Sequence, residues 1–234
     1  MKKFPPRQCY LCGAVENLTR DHIPPKSFFL SPRPSNLITV PCCRSCNASY
    51  SMDDEATRVW FSSQLGVSRA GDWILQNKVI PGIIKSSPAF RNTLLASMKD
   101  IRILTEDGEI EAIRLTVPFA RVERFIIRIT KGLLTHYFPD YNYSKDRFRV
   151  AHIPPRTDAL EKIRPIRDML EYDERGHGIF QFRRGLMPSK QSGVWLLLFY
   201  ESVSFLVEHS KADPSNPIEI ASDQPKPDIK SLLS

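Results

Sequence analysis

Long apolar runs are missing from this chain, and no stretch approaches the roughly eighteen consecutive apolar residues of a membrane-crossing helix. A membrane protein is therefore not expected. Basic residues open the chain in Met1-Lys2-Lys3-Phe4, but no apolar run follows them, so no export signal is expected either. Cysteines are few, five in 234 residues. An odd number, with four of them in two Cys-x-x-Cys pairs, does not read as a secreted disulfide framework. A reduced, cytoplasmic setting is the expectation. Acidic residues fall short of basic ones, 26 against 33, leaving a net charge of +7. That balance tilts the chain toward polyanionic partners, nucleic acid or anionic lipid, without selecting one. Internal repeats are absent as well.

Apolar residues are present in quantity. At 41% of the composition they suffice for a core, and 234 residues accommodate one large or two modest domains. From Met1 to about Ser51 the chain is rich in Pro, Cys, Asn and Ser, and a segment this short needs a staple to fold. Asp53, Asp54 and Glu55 suit the first turn of a helix that runs on through Ala56 to Leu65. Further helices are expected at Asp72–Asn77 and Ala89–Met98. A hairpin follows, from Ile101–Leu104 through the turn Asp107-Gly108 to the alternating branched residues of Ile110–Val117. Val122, Phe125, Ile126, Ile129 and Leu133 recur at helical spacing and predict a helix over Phe119–Phe138. Strands are expected at Arg147–Ile153, Ile179–Arg183 and Val194–Tyr200, with a polar helix between Asp158 and Glu171. The fold class is α+β, divided into an N-terminal module (1–58), a mixed helix and antiparallel-sheet domain (59–212) and a Pro-rich tail (213–234).

The chemistry concentrates near the N-terminus. Zinc takes four ligands in a tetrahedron, and a Cys-x-x-Cys knuckle offers two thiolates from one tight turn. Cys9, Cys12, Cys43 and Cys46 form two such knuckles, with thirty residues between Cys12 and Cys43. That gap exceeds the common zinc-ribbon spacing, so something further is built inside the loop that zinc closes. Cys42 is the spare thiol; pairing through it would break the spacing to Cys46.

Inside and beside the loop stand Asp21-His22-Ile23-Pro24-Pro25-Lys26, Asn36-Leu37-Ile38-Thr39-Val40 and Cys43-Arg44-Ser45-Cys46-Asn47. These motifs resemble the HNH endonuclease superfamily, in particular four-cysteine members with Asn in the last motif position, and a similar order occurs in endonuclease VII-type junction resolvases. The resemblance covers roughly the first fifty-five residues and nothing after them. It implies a ββα-metal module in which His22 is the general base, Asp21 and Asn47 hold a divalent metal, and Asn36 pins the loop around the histidine.

Phosphodiester hydrolysis asks for these residue types on its own terms. Imidazole takes a proton from water near neutral pH. A carboxylate and an amide offer hard oxygens suited to magnesium or manganese. Many superfamily members carry His where Asn47 stands, and an amide oxygen favours magnesium over softer metals. Asp53, Asp54 or Glu55 are candidates for one more ligand. Arg20, Lys26 and Arg44 are candidate phosphate contacts. So are Arg121, Arg124, Arg128 and Lys131, which recur at intervals of three, four and three along the long helix and read either as a phosphate track or as the solvated face of an amphipathic helix. Tyr137, Tyr141, Tyr143 and Phe148 either stack on bases or pack in the core. His136, His152, His177 and His209 show no metal spacing, and Asp173-Glu174-Arg175-Gly176-His177 matches no known motif. The expected function is a zinc-stapled, magnesium- or manganese-dependent endonuclease acting on nucleic acid, DNA before RNA. The alternatives are a noncatalytic zinc-bound nucleic-acid or protein-interaction module, or a nuclease of structured RNA. A homodimer is left open.

Overall fold

The computed structural model describes residues 8–86, 88–105, 108–154, 161, 163–187 and 191–211. The Pro-rich tail, Asp107 and the start of the helix expected from Asp158 lie outside them. The chain is mixed α+β, with helices, antiparallel sheets and a four-cysteine site near its N-terminus. Among the described residues no helix is long and apolar enough to cross a membrane.

Two short strands make the first hairpin. β1 (Leu18–Ile23) pairs antiparallel with β2 (Ile38–Cys43), placing Asp21 opposite Val40 and His22 opposite Thr39. Side chains alternate along a strand, so Thr19, Asp21 and Ile23 share one face of β1, and Leu18, Arg20 and His22 share the other. The first face turns inward, with Asp21 4% and Ile23 0% exposed. In the connection, a single 3-10 turn at Lys26–Phe28 seats Phe28 and Phe29 in the core. Cys43 then caps α1 (Arg44–Ser49), its sulfur accepting from Cys46 N–H at 3.5 Å. α2 (Ser51–Ser62) follows with Asp53 and Asp54 in its first turn, where the helix dipole favours negative charge.

The next helical stretch is built from α3 (Arg69–Ile74), a π-helical segment (Leu75–Val79) and α4 (Ile80–Lys85). The widened register sits just before Pro81, which has no N–H to continue the regular ladder. α5 (Pro88–Ala96) leads into a hairpin of β3 (Met98–Thr105) and β4 (Gly108–Leu115), and α6 spans Phe119–Tyr137. Met98, expected to close a helix, opens β3 instead.

The last sheet is antiparallel with strand order β5-β9-β8-β7-β6, from β5 (Asp146–Ile153), β6 (Glu171–Arg175), β7 (Phe180–Met187), β8 (Ser192–Phe199) and β9 (Val203–Lys211). The described part of the polar helix before β6 is α7 (Arg164–Met169). Sequence pattern missed β6 and β9. The first is a charged edge strand, tolerated because one side faces water, and in the second, Leu206 between the inward Val203, Phe205 and Val207 breaks the apolar–polar alternation.

A single core spans the expected 58/59 boundary. Phe28 stacks on Phe125 of α6 at 5.2 Å, Phe61 of α2 meets Phe125 edge-on at 5.9 Å, and Phe199 of β8 lies 4.8 Å from Phe61. The hairpin module thus buries its apolar face against the rest of the chain. Gly132 of α6 lets this happen closely, since a Cβ there would stand 2.5 Å from Ile23 Cδ1.

Candidate functional site

The first knuckle is a tight turn. Cys9 N–H donates to Ala14 O at 2.7 Å and Gly13 N–H to Cys9 O at 2.8 Å, with Gly13 at φ +77°, which a side chain would resist. The second knuckle straddles the end of β2 and the start of α1. Together they bring Cys9, Cys12, Cys43 and Cys46 within 4.8 Å of one another, sulfur to sulfur, and Cys12 Sγ lies 3.7 Å from Cys43 Sγ. Thiolates tetrahedrally bound at zinc–sulfur distances near 2.3 Å stand about 3.8 Å apart. The four thiols are therefore positioned to hold a metal ion, and their softness suits zinc. Hydrogen bonds from Ser45 and from the Cys46 backbone bring the Cys43 thiol down to about 6, so this position favours the thiolate that a metal requires. Cys42 stays outside the set. It is fully buried, and burial, followed by the neighbouring Cys9, pushes its thiol up.

Asp21 lies on the inward face of β1 and binds two groups through one oxygen. Tyr10, between the ligands of the first knuckle, donates its hydroxyl to Asp21 Oδ2 at 2.8 Å, and Arg128 Nε lies 3.6 Å from the same atom. Burial, then the Asp21 charge, drives the Tyr10 phenol well above its usual range, so it remains a donor. Asn47 comes to the same face from α1, its Nδ2 donating to Thr19 Oγ1 at 3.3 Å. Each residue thereby leaves Oδ1 unused by these contacts. His22 projects from the opposite face, half-buried. Burial and then Lys26 lower its pKa, Arg33 adds to the effect, and Asp21 opposes it. The fold thus brings Asp21 and Asn47 to one face and does not place His22 on it. Asn36 is exposed ahead of β2, and its side chain makes no loop-pinning hydrogen bond among the described residues.

The basic stripe on α6 is not a free face. Arg128 is 1% exposed and pairs with Asp54 at 2.8 Å as well as with Asp21. Arg121 and Arg124 both hold Asp53, at 3.0 and 3.3 Å, and Lys131 lies over the Phe148 ring at 5.3 Å. The helical spacing holds, but the acidic first turn of α2 pairs with all three arginines, although Arg124 keeps 57% of its side chain exposed. Asp53 and Asp54 are accordingly committed to arginines. Arg20, Lys26 and Arg44 remain exposed. The aromatic residues have packing roles: Tyr137 hydrogen-bonds Asp173 at 2.5 Å, Tyr141 bonds Asp146 at 2.8 Å, Tyr143 reaches Tyr10 O at 2.7 Å, and Phe148 stacks on His209.

Comparison with family models, with curated proteins and with solved structures finds no match to this chain. Sequence reading also passed over Tyr10 and the Arg128–Asp54 pair. A tyrosine between candidate metal ligands carries no motif, and a pair separated by 74 residues in sequence becomes visible only when α2 and α6 pack.

Proposed function

We propose that this chain is a zinc-stapled endonuclease of the HNH type that hydrolyses phosphodiester bonds, of DNA before RNA. In this reading His22 is the general base, and Asp21 and Asn47 hold one magnesium or manganese ion. One observation carries the proposal: a hairpin and helix braced by four thiols leave one carboxylate oxygen of Asp21 and the amide oxygen of Asn47 unused by their contacts on one face of β1, and the next residue of the strand, on its other face, is a histidine whose surroundings favour the neutral form. The donor set fits a hard divalent cation, which takes one or two protein oxygens and fills its shell with water. When bound, such an ion supplies positive charge at the phosphoryl group and the leaving oxygen.

The chain's own residues do the rest. Neutral His22 accepts the proton of the attacking water at a ring nitrogen. Tyr10 and Arg128 grip Oδ2 of Asp21 and so fix the direction of Oδ1. Thr19 orients the Asn47 amide by accepting from its nitrogen. The cysteines set the positions of Tyr10 and Asn47, because each directly follows a zinc ligand.

A second reading, a noncatalytic zinc-bound module, draws support from the strand alternation that turns His22 away from Asp21 and Asn47. Plasmid DNA and short RNA, incubated with magnesium, manganese or neither, separate the two. The nuclease reading expects metal-dependent nicking by wild type and a loss of about 10²- to 10⁴-fold in His22→Ala at unchanged zinc content. Equal inertness of wild type and variant on every substrate would leave the binding module. Cleavage confined to RNA would move the substrate to structured RNA.

A further inference from the structure

The face of β1 that carries His22 looks onto cations with no acidic partner. Lys26 follows in the 3-10 turn, and Arg33 lies beyond it in the same connection. Lys78, on the π-helical segment, donates to Phe29 O at 2.8 Å, which anchors it beside that connection. Tyr200, which donates to Phe28 O at 2.9 Å, holds the adjacent carbonyl of the same connection and is a neighbour of Arg58 on α2. Arg58 Nε is buried without a hydrogen-bond partner. Among the described residues none of these four cations lies within 4 Å of a carboxylate, in contrast to the arginines of α6. They are also close enough to repel: burial first, then Arg33 and Arg58, lower the Lys78 pKa. Beside them stands Trp73, 42% exposed, with Lys78 Nζ 5.8 Å from its ring centroid.

Uncompensated cations converging on one surface lower the free energy of a polyanion there, and an exposed indole offers a platform on which an unpaired base stacks. We infer that Lys26, Arg33, Arg58 and Lys78 form the phosphate track of this protein and that Trp73 stacks a base, so that the chain receives a single-stranded segment of nucleic acid along the His22 face. The inference deepens the nuclease reading by naming the strand that its site receives and the surface that holds it. It also moves the track off α6, where the three arginines are already paired with carboxylates.

Binding of labelled single-stranded DNA, single-stranded RNA and duplex DNA by the zinc-loaded full chain tests this, with fluorescence anisotropy read over a salt series and no added magnesium. Arg33→Glu and Trp73→Ala change exposed side chains, and a melting curve verifies that each folds. Arg33→Glu is expected to weaken binding about tenfold and to flatten the salt dependence by roughly 0.7 in log–log slope. Trp73→Ala is expected to weaken single-strand binding about tenfold with much less effect on duplex. Arg121→Ala/Arg124→Ala should bind like wild type. Equal loss of DNA and RNA binding supports a track that reads phosphodiester and base alone, and a loss larger for one of them supports the same track and names the polymer. The inference is overturned if Arg33→Glu binds as wild type does, if the α6 pair proves the more damaging change, or if Trp73→Ala affects single strands and duplex alike. Because the readout is binding, normal binding defects in a protein that cleaves nothing would remove the nuclease reading and leave the track standing.

Discussion

Tyr10 donates its hydroxyl to Asp21 at 2.8 Å from a position between Cys9 and Cys12. The contact joins the metal-binding loop to the candidate catalytic carboxylate through one side chain. Asn47, next to Cys46 and bonded to Thr19, makes a second such link. Tyr143 ties the sheet domain to the same knuckle through Tyr10 O. These contacts predict that metal occupancy, the position of Asp21 and the docking of the second half of the chain are coupled.

Removing the Tyr10 hydroxyl should loosen Asp21 without emptying the thiol site. Tyr10→Phe is expected to keep one zinc per chain by elemental analysis and to lose about 1–3 kcal/mol of stability in urea, since Asp21 Oδ2 forfeits its one hydrogen-bond donor. Cys12→Ser should lose both zinc and the cooperative transition. A Cys12→Ser protein that melts like wild type would sever the proposed coupling.

Arg128 is the counter-charge for two carboxylates. Arg128→Met should cost about 3–5 kcal/mol, because the buried Asp21 and the half-buried Asp54 are left uncompensated. Adding Asp54→Asn should recover part of that loss. Burial, against the opposing pull of Arg128, raises Asp54 from 3.8 to about 6. The folded state then holds this proton more tightly than the unfolded state does. Its contribution to stability is present in full below pH 3.8 and is lost as pH rises to about 6. In chemical denaturation across that window, Asp54→Asn should lack this component of the pH dependence.

His22 should titrate below 6.5, since burial and then Lys26 disfavour its charged form. The sign is opposite in effect: as pH falls below 6.5 the unfolded chain takes up a proton that the folded chain resists, so stability from this group declines with acidification. Under the proposed role of His22 as general base, nuclease activity should persist to a lower pH than an ordinary histidine base permits. Lys26→Ala should move the His22 proton resonance titration upward, toward 6.5, in NMR. An unchanged titration would remove Lys26 from the surroundings of His22.

Gly132 sets how closely α6 approaches β1. Gly132→Ala places a methyl group against the buried Ile23 side chain, with an expected loss of about 1–3 kcal/mol. Gly132→Ala/Ile23→Val should regain part of it, visible as a shift of the urea midpoint. Full tolerance of the single change would show that the two elements separate readily.

Much of this architecture was legible in sequence where a local rule operates. Cys-x-x-Cys spacing marked the four thiols that converge. The alternation in β4 and the helical period of α6 marked their elements to within a few residues. What escaped depended on which neighbour lies across a contact. The stripe on α6 had the spacing of a surface track, yet Asp53 and Asp54 neutralise most of it. Asn36 had the motif position of a loop pin, yet it stands in solvent.

By itself the sequence determined the ligand chemistry near the N-terminus, because a two-residue spacer forces two thiols into one turn wherever the chain lies. It likewise determined most helices and strands, through periodicities that the backbone imposes locally. Only the tertiary structure decided which charges are spent and which are free. Arg128 became a buried counter-ion because α2 packs on α6, whereas Arg33 and Lys78 have no carboxylate within ion-pair distance among the described residues. Electrostatic pairing acts across distances in space that residue spacing along the chain does not encode.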